Sequence, residues 1–362
     1  MTVARLVALD LPGGPEFVDE LQRIWDAGDA AFPVDQRLPP AAKRAVCAAM
    51  RVGEPVEPGD ALVMATSGST GTAKGVVLTH AAVAASAAAT SARIGTAADD
   101  HWLACLPLNH VGGLSVVTRA LHTGTALTVQ PGFDAEAVMA SEATLVSLVA
   151  TALRRIDPAK FRVIVLGGSR PPADRPSNAV ATYGMTETGS GVVYDRRPLD
   201  GVEVRIIAGE IQLRGPMLLR CYRDGRDPKT PDGWLPTGDL GDLADGLVTV
   251  HGRADDLIIT GGENVWPEPV EALLRVVPGV ADVAVAGTPD PEWGQVVTAH
   301  VVPAGDAPTL VALRDAVKAA LPAFCAPRRL VLHSELPRTS LGKIRRVELG
   351  PGDPGAVRTD WL

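Results

Sequence analysis

The chain has 362 residues, with 34 Lys and Arg against 42 Asp and Glu for a net charge of −8, and 46% hydrophobic and 21% charged residues. That balance is ordinary for a globular chain with a sizeable core and about two domains, and it excludes disordered and fibrous proteins. The acidic excess argues against a nucleic-acid partner, whose binding is driven by clustered Lys and Arg displacing counterions, and leaves small anionic ligands open.

Short apolar runs at 61–65, 126–129, 144–149, 162–166 and 180–183 predict strands buried on both faces of a largely parallel sheet, covered by helices. Thr79 opens an Ala-rich helix with a capping hydroxyl, and Asp134 opens another. Near residue 200 the texture changes to alternating strands at 202–207 and 210–214, punctuated by Gly and Pro216, which predicts a β-rich subdomain over about 200–252. Beyond it, a helix near 269–276, strands near 280–286 and 296–302, and a helix near 310–321 make a compact α+β unit of ordinary domain size. The expected organisation is α/β: a large N-terminal domain of layered subdomains over 1–252, a hinge at 253–255 and a small α+β domain over 256–362.

The 37 Gly and 30 Pro predict many tight loops. Cys47, Cys105, Cys221 and Cys325 lie far apart without a CxxC pair, which reads as reduced thiols in a cytoplasmic chain. The first thirteen residues carry one early Arg and then Asp10, unlike a signal peptide. The longest uncharged stretches, 75–92 and 102–118, are broken by polar residues and do not read as membrane spans.

The densest chemical signal is Thr66-Ser67-Gly68-Ser69-Thr70-Gly71-Thr72-Ala73-Lys74-Gly75, directly after the run at 61–65. Glycines let backbone N–H groups approach an anion closely and the hydroxyls add donors, which suits a phosphate, against the plainer reading of a flexible linker. The pattern GxxxxGK[ST] needs Gly before Lys and Ser or Thr after it. Ala73 and Gly75 occupy those places, so a Walker site fails.

Together with four segments nearer the C-terminus, this one resembles the phosphate loop of the adenylate-forming superfamily of acyl-CoA synthetases, luciferases and peptide-synthetase adenylation domains. Tyr183-Gly184-Met185-Thr186-Glu187-Thr188 matches the family's YGMTE segment and Thr237-Gly238-Asp239 its TGD. Gly252-Arg253-Ala254-Asp255-Asp256, with Gly261-Gly262-Glu263-Asn264 after it, matches its hinge region. Pro337-Arg338-Thr339-Ser340-Leu341-Gly342-Lys343 matches its mobile-lysine segment. Five motifs in family order cover about 62–346.

The resemblance implies a two-step reaction with ATP, Mg²⁺ and CoA: a carboxylate attacks the α-phosphorus of ATP, and a thiol then takes the acyl group. Charge gathers on phosphoryl oxygens in the first step, where preorganised donors and a divalent cation stabilise the transition state more than the ground state. By position in the motifs, Thr66, Ser67, Gly68, Ser69, Thr70, Gly71 and Lys74 would cradle the phosphates, helped by the Thr186 hydroxyl. Gly168, Ser169, Tyr183, Gly184 and Met185 would complete the nucleotide site. Glu187 would hold Mg²⁺, since a hard cation needs only one carboxylate beside ATP oxygens and waters. Asp239, assisted by Arg253, would take the ribose hydroxyls. Lys343 would bridge acid and phosphate in the first half-reaction alone, after which rotation about Asp255 would bring Gly261, Gly262, Glu263 and Asn264 to a channel for the CoA arm. The acid pocket implied by the family spans His110, Gly112 and Gly113 on 106–114, Gly167 at a strand end and Ser190 beyond Glu187, with His110 at the carboxylate gate. No HExxH or Cys/His cluster suggests zinc. The chain departs from the pattern at Ala73, where most relatives have Pro, and at Trp266, where many have Tyr.

Within the family, LPLNHVGGLS, YGMTETGSG and GGENVWP are similar to the o-succinylbenzoate-CoA ligases of menaquinone biosynthesis, in a short form with only 65 residues before Thr66. That implies an acid with two carboxylates, one reacting and one held by donors around His110, Ser169, Ser190 or a nearby Arg. Another aromatic or medium-chain acid, and a catalytically silent nucleotide-binding regulator, stay open as alternatives. The presence of Glu187, Asp239, Arg253 and Lys343 together favours the enzyme. The short N-terminus is expected to leave an apolar patch that a homodimer would bury.

Overall fold

The computed structural model describes residues 3–67, 73–169, 171–172, 174–338, 344–349 and 356–361. An N-terminal sheet runs in the order Leu6–Leu9, Ala30–Pro33, Asp60–Ser67, Ala73–Thr79, Cys221–Tyr222. Its first three strands are parallel, whereas Asp60–Ser67 and Ala73–Thr79 pair antiparallel, with Val63 opposite Val77 and Thr66 opposite Lys74. The Gly/Ser/Thr segment therefore connects two antiparallel strands. A Walker loop instead connects a strand to a helix, in keeping with the failed pattern.

A second sheet has seven strands in the order Arg197–Pro198, Ser190–Tyr194, Ala179–Met185, Val163–Gly167, Leu145–Val149, His101–Ala104, Ala126–Val129. From Ala179–Met185 to Ala126–Val129 the pairing is parallel, and the first two strands add an antiparallel edge. Four of the five predicted runs lie here. The fifth, 61–65, lies in the N-terminal sheet, parallel to one neighbour and antiparallel to the other. Ala126–Val129 also differs from expectation in burial: it is an edge strand with no fully buried residue, and only Leu127 and Val129 pack against the core.

Two helices pack against these sheets. His80–Ile94 starts where Thr79 Oγ1 accepts the Ala82 N–H at 3.1 Å and stops at Gly95, whose φ of 61° is left-handed. Its alanines allow close packing with Val111–Thr123. That second helix begins with Gly112-Gly113, a pair that reads as a helix breaker in sequence. Gly113 is required by proximity, because a Cβ there would meet the Leu106 and Pro107 carbonyl oxygens at 2.5 Å. The core between helices and sheets is built around Leu62, Leu78, Trp102, Leu114, Leu145 and Tyr194.

The strands Glu203–Ile207, Glu210–Arg214, Leu235–Ala244 and Leu247–Arg253 form a four-stranded sheet in that order, in the predicted β-rich region. By internal packing the chain divides into one compact unit of 1–207, 212–237 and 243–249 and another of 208–211, 238–242 and 250–362. The second unit carries a six-stranded sheet around the long hairpin Val280–Asp290 and Gly294–Pro303, covered by helices Pro267–Leu274 and Leu310–Lys318. A buried ionic cluster ties this unit internally. Arg346 donates to Glu271 Oε1 at 2.6 Å, to Asp256 Oδ2 at 3.3 Å and to the Val285 carbonyl at 3.1 Å, while Glu271 Oε1 also accepts the Val285 N–H at 2.9 Å. Among the described residues, no helix is long and apolar enough to cross a membrane.

Candidate active site

In the first unit, the strand Ala179–Met185 runs into a single turn, Thr186–Thr188, closed by Gly189 in a left-handed conformation. Thr188 is fully buried. Its Oγ1 accepts the Met185 N–H at 3.0 Å and lies 2.6 Å from the Ser190 carbonyl, which fixes the turn between two strands. Gly184 is required here because a Cβ would overlap the Ser190 carbonyl oxygen. The turn presents Thr186 and Glu187, and Glu187 is anchored twice. Its carbonyl accepts the Leu219 N–H at 2.8 Å, and its Oε1 accepts the Tyr222 hydroxyl at 2.9 Å. Lys74 Nζ lies 5.6 Å from the centroid of the Tyr222 ring. Burial, with the Glu187 charge beside it, pushes the Tyr222 phenol well above its ordinary range, so it stays a donor. Thr66 Oγ1 reaches the Lys74 carbonyl at 3.4 Å across the hairpin. The structure thus brings Glu187 and Lys74 to one tyrosine that no sequence motif contained. Ser67 ends its strand; Gly68, Ser69, Thr70, Gly71 and Lys343 lie outside the described residues.

The residues expected to line the acid pocket lie in the same unit. Leu166 pairs with Ala181, Gly167 ends the strand, and Gly168 and the exposed Ser169 follow just beyond it, alongside the Tyr183 strand. A Cβ on Gly167 would meet Thr182 Oγ1 at 3.0 Å, and Gly168 has φ of 87°. His110 is the residue immediately before the helix Val111–Thr123, and its Nε2 lies 3.2 Å from the Asn109 side-chain nitrogen. Burial, and then the Arg37 charge, push the imidazole down to about 4, so His110 is neutral near pH 7. A small cavity of mixed polarity adjoins Val111, lined also by Leu78, Leu114, Ser115, Thr118 and Gly189.

One turn beyond Ser115 on that helix is Arg119, only 1% exposed. Its Nη2 donates to Ser190 Oγ at 3.3 Å, and its Cζ lies 4.7 Å from the Trp102 ring centroid. Among the described residues, its Nε and Nη1 meet no acceptor. Guanidinium stays charged even where burial lowers its pKa, as it does here, so this is a buried cation with a single neutral hydrogen-bond partner. The motifs imply a nearby Arg without fixing its position. The signal was in the helix itself: Arg119 is the only Lys, Arg, Asp or Glu in VGGLSVVTRALHT.

In the second unit, Arg253 Nη1 lies 3.4 Å from Asp239 Oδ1, and the Gly238 N–H donates to Glu210 Oε1 at 2.8 Å. Gly238 has φ of 71°, and a Cβ there would press on the Arg253 guanidinium at 2.9 Å. Asp255 is exposed in the turn Ala254–Asp256. Gly261 and Gly262 form a two-residue hairpin turn with φ of 59° and 87°, the geometry that only glycine accepts readily at both places. Gly261 also packs under Trp293, whose ring carbon would be 2.6 Å from a Cβ. Glu263 and Asn264 follow it, exposed on a short strand. Trp266 covers Gly252 and lies 6.1 Å from the His251 ring.

The chain matches the AMP-binding enzyme family over residues 23–223 and the AMP-binding enzyme C-terminal domain over 269–343. It belongs to that family of adenylate-forming enzymes. It is 39% identical over 380 residues to a probable 2-succinylbenzoate–CoA ligase of Mycobacterium tuberculosis, covering 94% of this chain and 97% of the relative. A 2-succinylbenzoate–CoA ligase of Enterococcus faecalis is 33% identical, covering 79% of this chain and 68% of the relative. Among solved structures, the o-succinylbenzoate CoA synthetase of Bacillus subtilis, in complex with its acyl-adenylate intermediate, superposes with a TM-score of 0.88 at 27% identity, over 96% of this chain and 88% of that one.

Proposed function

We propose that the chain is an AMP-forming acid–CoA ligase whose acid is 2-succinylbenzoate, the step that yields o-succinylbenzoyl-CoA for menaquinone. In the first half-reaction an oxygen of one carboxylate attacks the α-phosphorus of ATP and pyrophosphate leaves. In the second, the CoA sulfur attacks the acyl carbonyl, the thiol proton is lost and AMP leaves. Glu187 suits a magnesium ion, because its carboxylate is partly exposed, one oxygen is held by Tyr222, and such a cation takes few protein oxygens beside those of ATP. Magnesium, when bound, neutralises charge building on the phosphate oxygens. Thr186, Lys74 and the hydroxyls of Ser69 and Thr70 orient those phosphates, Asp239 with Arg253 takes the ribose, and Lys343 joins acid and phosphate in the first step.

The observation that carries the choice of acid is Arg119. A buried guanidinium with one neutral partner is expensive to maintain, and the carboxylate of a second acid group offsets that cost where an uncharged ring or alkyl chain would not. His110 cannot supply the charge, because it is neutral at working pH.

The test is pyrophosphate release with Mg-ATP and CoA over o-succinylbenzoate, benzoate, succinate, octanoate and an amino acid, with the thioester confirmed by mass. Turnover confined to o-succinylbenzoate supports the full reading. Turnover with octanoate or benzoate keeps the chemistry and removes the substrate; tight ATP binding with no turnover favours the silent regulator. ATP, CoA and four free cysteines fit a cytoplasmic setting. Self-association as a homodimer belongs to the same proposal, and a monomeric mass by light scattering at micromolar concentration would remove it.

A further inference from the structure

Tyr222 lies on the two-residue strand Cys221–Tyr222, opposite Val76, two residues along the chain from Lys74. It is 8% exposed, and its ring carries two cations: Lys74 Nζ at 5.6 Å and Arg226 Cζ at 4.8 Å from the centroid. Packing and both cation contacts need only an aromatic ring, so Phe would serve them equally. The hydroxyl needs a different explanation. Its one hydrogen bond among the described residues goes to Glu187 Oε1, across 35 residues of sequence.

We propose that Tyr222 is a positioning residue for Glu187: its hydroxyl fixes one carboxylate oxygen and so holds the other ready for the magnesium of Mg-ATP, anchored to the strand pair that carries Lys74. The inference rests on the reading of Glu187 as the magnesium ligand. A glutamate has three side-chain torsions, and an unheld carboxylate must give up that freedom when it meets a cation. A partner that restrains it in advance removes part of that cost, and losing such partners lowers metal affinity by roughly 10–100-fold. The lower end applies here, because most of the ion's ligands are phosphate oxygens and waters.

The experiment is calorimetric ATP binding to the full chain, with magnesium and with EDTA, for the wild type, Tyr222→Phe, Glu187→Gln and the double variant. Magnesium is expected to tighten ATP binding by the wild type, and Tyr222→Phe should remove about tenfold of that gain. Metal-free ATP affinity and thermal melting should stay as in the wild type, and Tyr222→Phe should change nothing further in the Glu187→Gln background. Equal losses with and without magnesium would overturn the proposal, since the tyrosine would then act through packing. So would an intact magnesium gain in Tyr222→Phe beside a lost gain in Glu187→Gln. An intact gain in Glu187→Gln itself would instead remove the reading of Glu187, and with it this one.

Discussion

Arg119 and Ser190 meet at 3.3 Å inside the first unit, and the serine hydroxyl is the one hydrogen-bond partner, among the described residues, of a guanidinium that is 1% exposed. A charge so placed costs stability that a hydrophobic residue of similar volume would restore. Arg119→Met is therefore expected to keep or raise the melting temperature while lowering kcat/KM for o-succinylbenzoate by about 100-fold, a loss of roughly 3 kcal/mol in transition-state binding. The KM for ATP should stay within about twofold, because the proposal assigns the guanidinium to the acid and not to the nucleotide. Thermal melting and steady-state kinetics on one preparation check both halves. A variant that melts lower and binds ATP more weakly would mean Arg119 is structural.

His110 makes the opposite kind of statement about pH. Its native pKa, near 4, lies below the ordinary 6.5. As pH falls below 6.5 the unfolded chain takes a proton at this residue and the native chain does not, so stability is lost progressively down to about 4 and the loss then levels off. His110→Asn should lack that slope, which melting curves at several pH values between 7 and 4 will show. The KM for the acid should have no inflection from His110 between about pH 6 and 8, where an unperturbed imidazole would give one.

Local signals were legible in sequence and long-range ones were not. Thr79 and Asp134 were readable as helix starts because a cap involves residues three apart, and both hydroxyl and carboxylate do accept the expected N–H groups. The strands at 144–149 and 162–166 were readable because burial on two faces leaves an unbroken apolar run, whereas 180–183 is a strand as expected but only half-buried, against the expected cover on both faces. The same signal misled at Ala126–Val129, since an edge strand can be apolar without being covered on both sides. Val111–Thr123 was hidden by Gly112-Gly113, whose reason, the approach of the Leu106 and Pro107 carbonyls, exists only once the chain has folded. Tyr222 was invisible for a related cause: its partner is 35 residues away and no periodicity links them. Asp239 stands out in its motif, yet the Glu210 carboxylate that holds the neighbouring Gly238 turn needed the sheet.

Arg346 tests what holds the second unit together. It is 14% exposed and pairs at 2.6 Å with Glu271, which is 3% exposed, while also reaching Asp256 and the Val285 carbonyl. Removing one member of a buried pair leaves the other charged in a poor medium and costs about 3 kcal/mol. Arg346→Met should accordingly lower the stability of the second unit by that amount, with Arg346→Lys intermediate because an ammonium cannot reach all three acceptors at once. Denaturation followed by Trp293 fluorescence, in a background lacking the other tryptophans, reads that unit alone. An unchanged midpoint for both variants would show that Glu271 is satisfied by Arg275 and Val285 without help.

The role proposed for Lys343 separates the two half-reactions. In the first, a carboxylate and a phosphate must approach each other, and two like charges are brought together by a cation between them. In the second, a thiol attacks an acyl-adenylate that has already lost one of those charges, so the same cation has little left to stabilise. Lys343→Ala should therefore lower adenylate formation, followed as pyrophosphate exchange, by roughly 1,000-fold, about 4 kcal/mol. Thioester formation from supplied acyl-adenylate and CoA should fall less than about tenfold in the same variant. Equal loss in both half-reactions would mean that the lysine serves one fixed arrangement of the site, and the account in which the C-terminal unit presents first Lys343 and then Gly261-Gly262 would have to be given up.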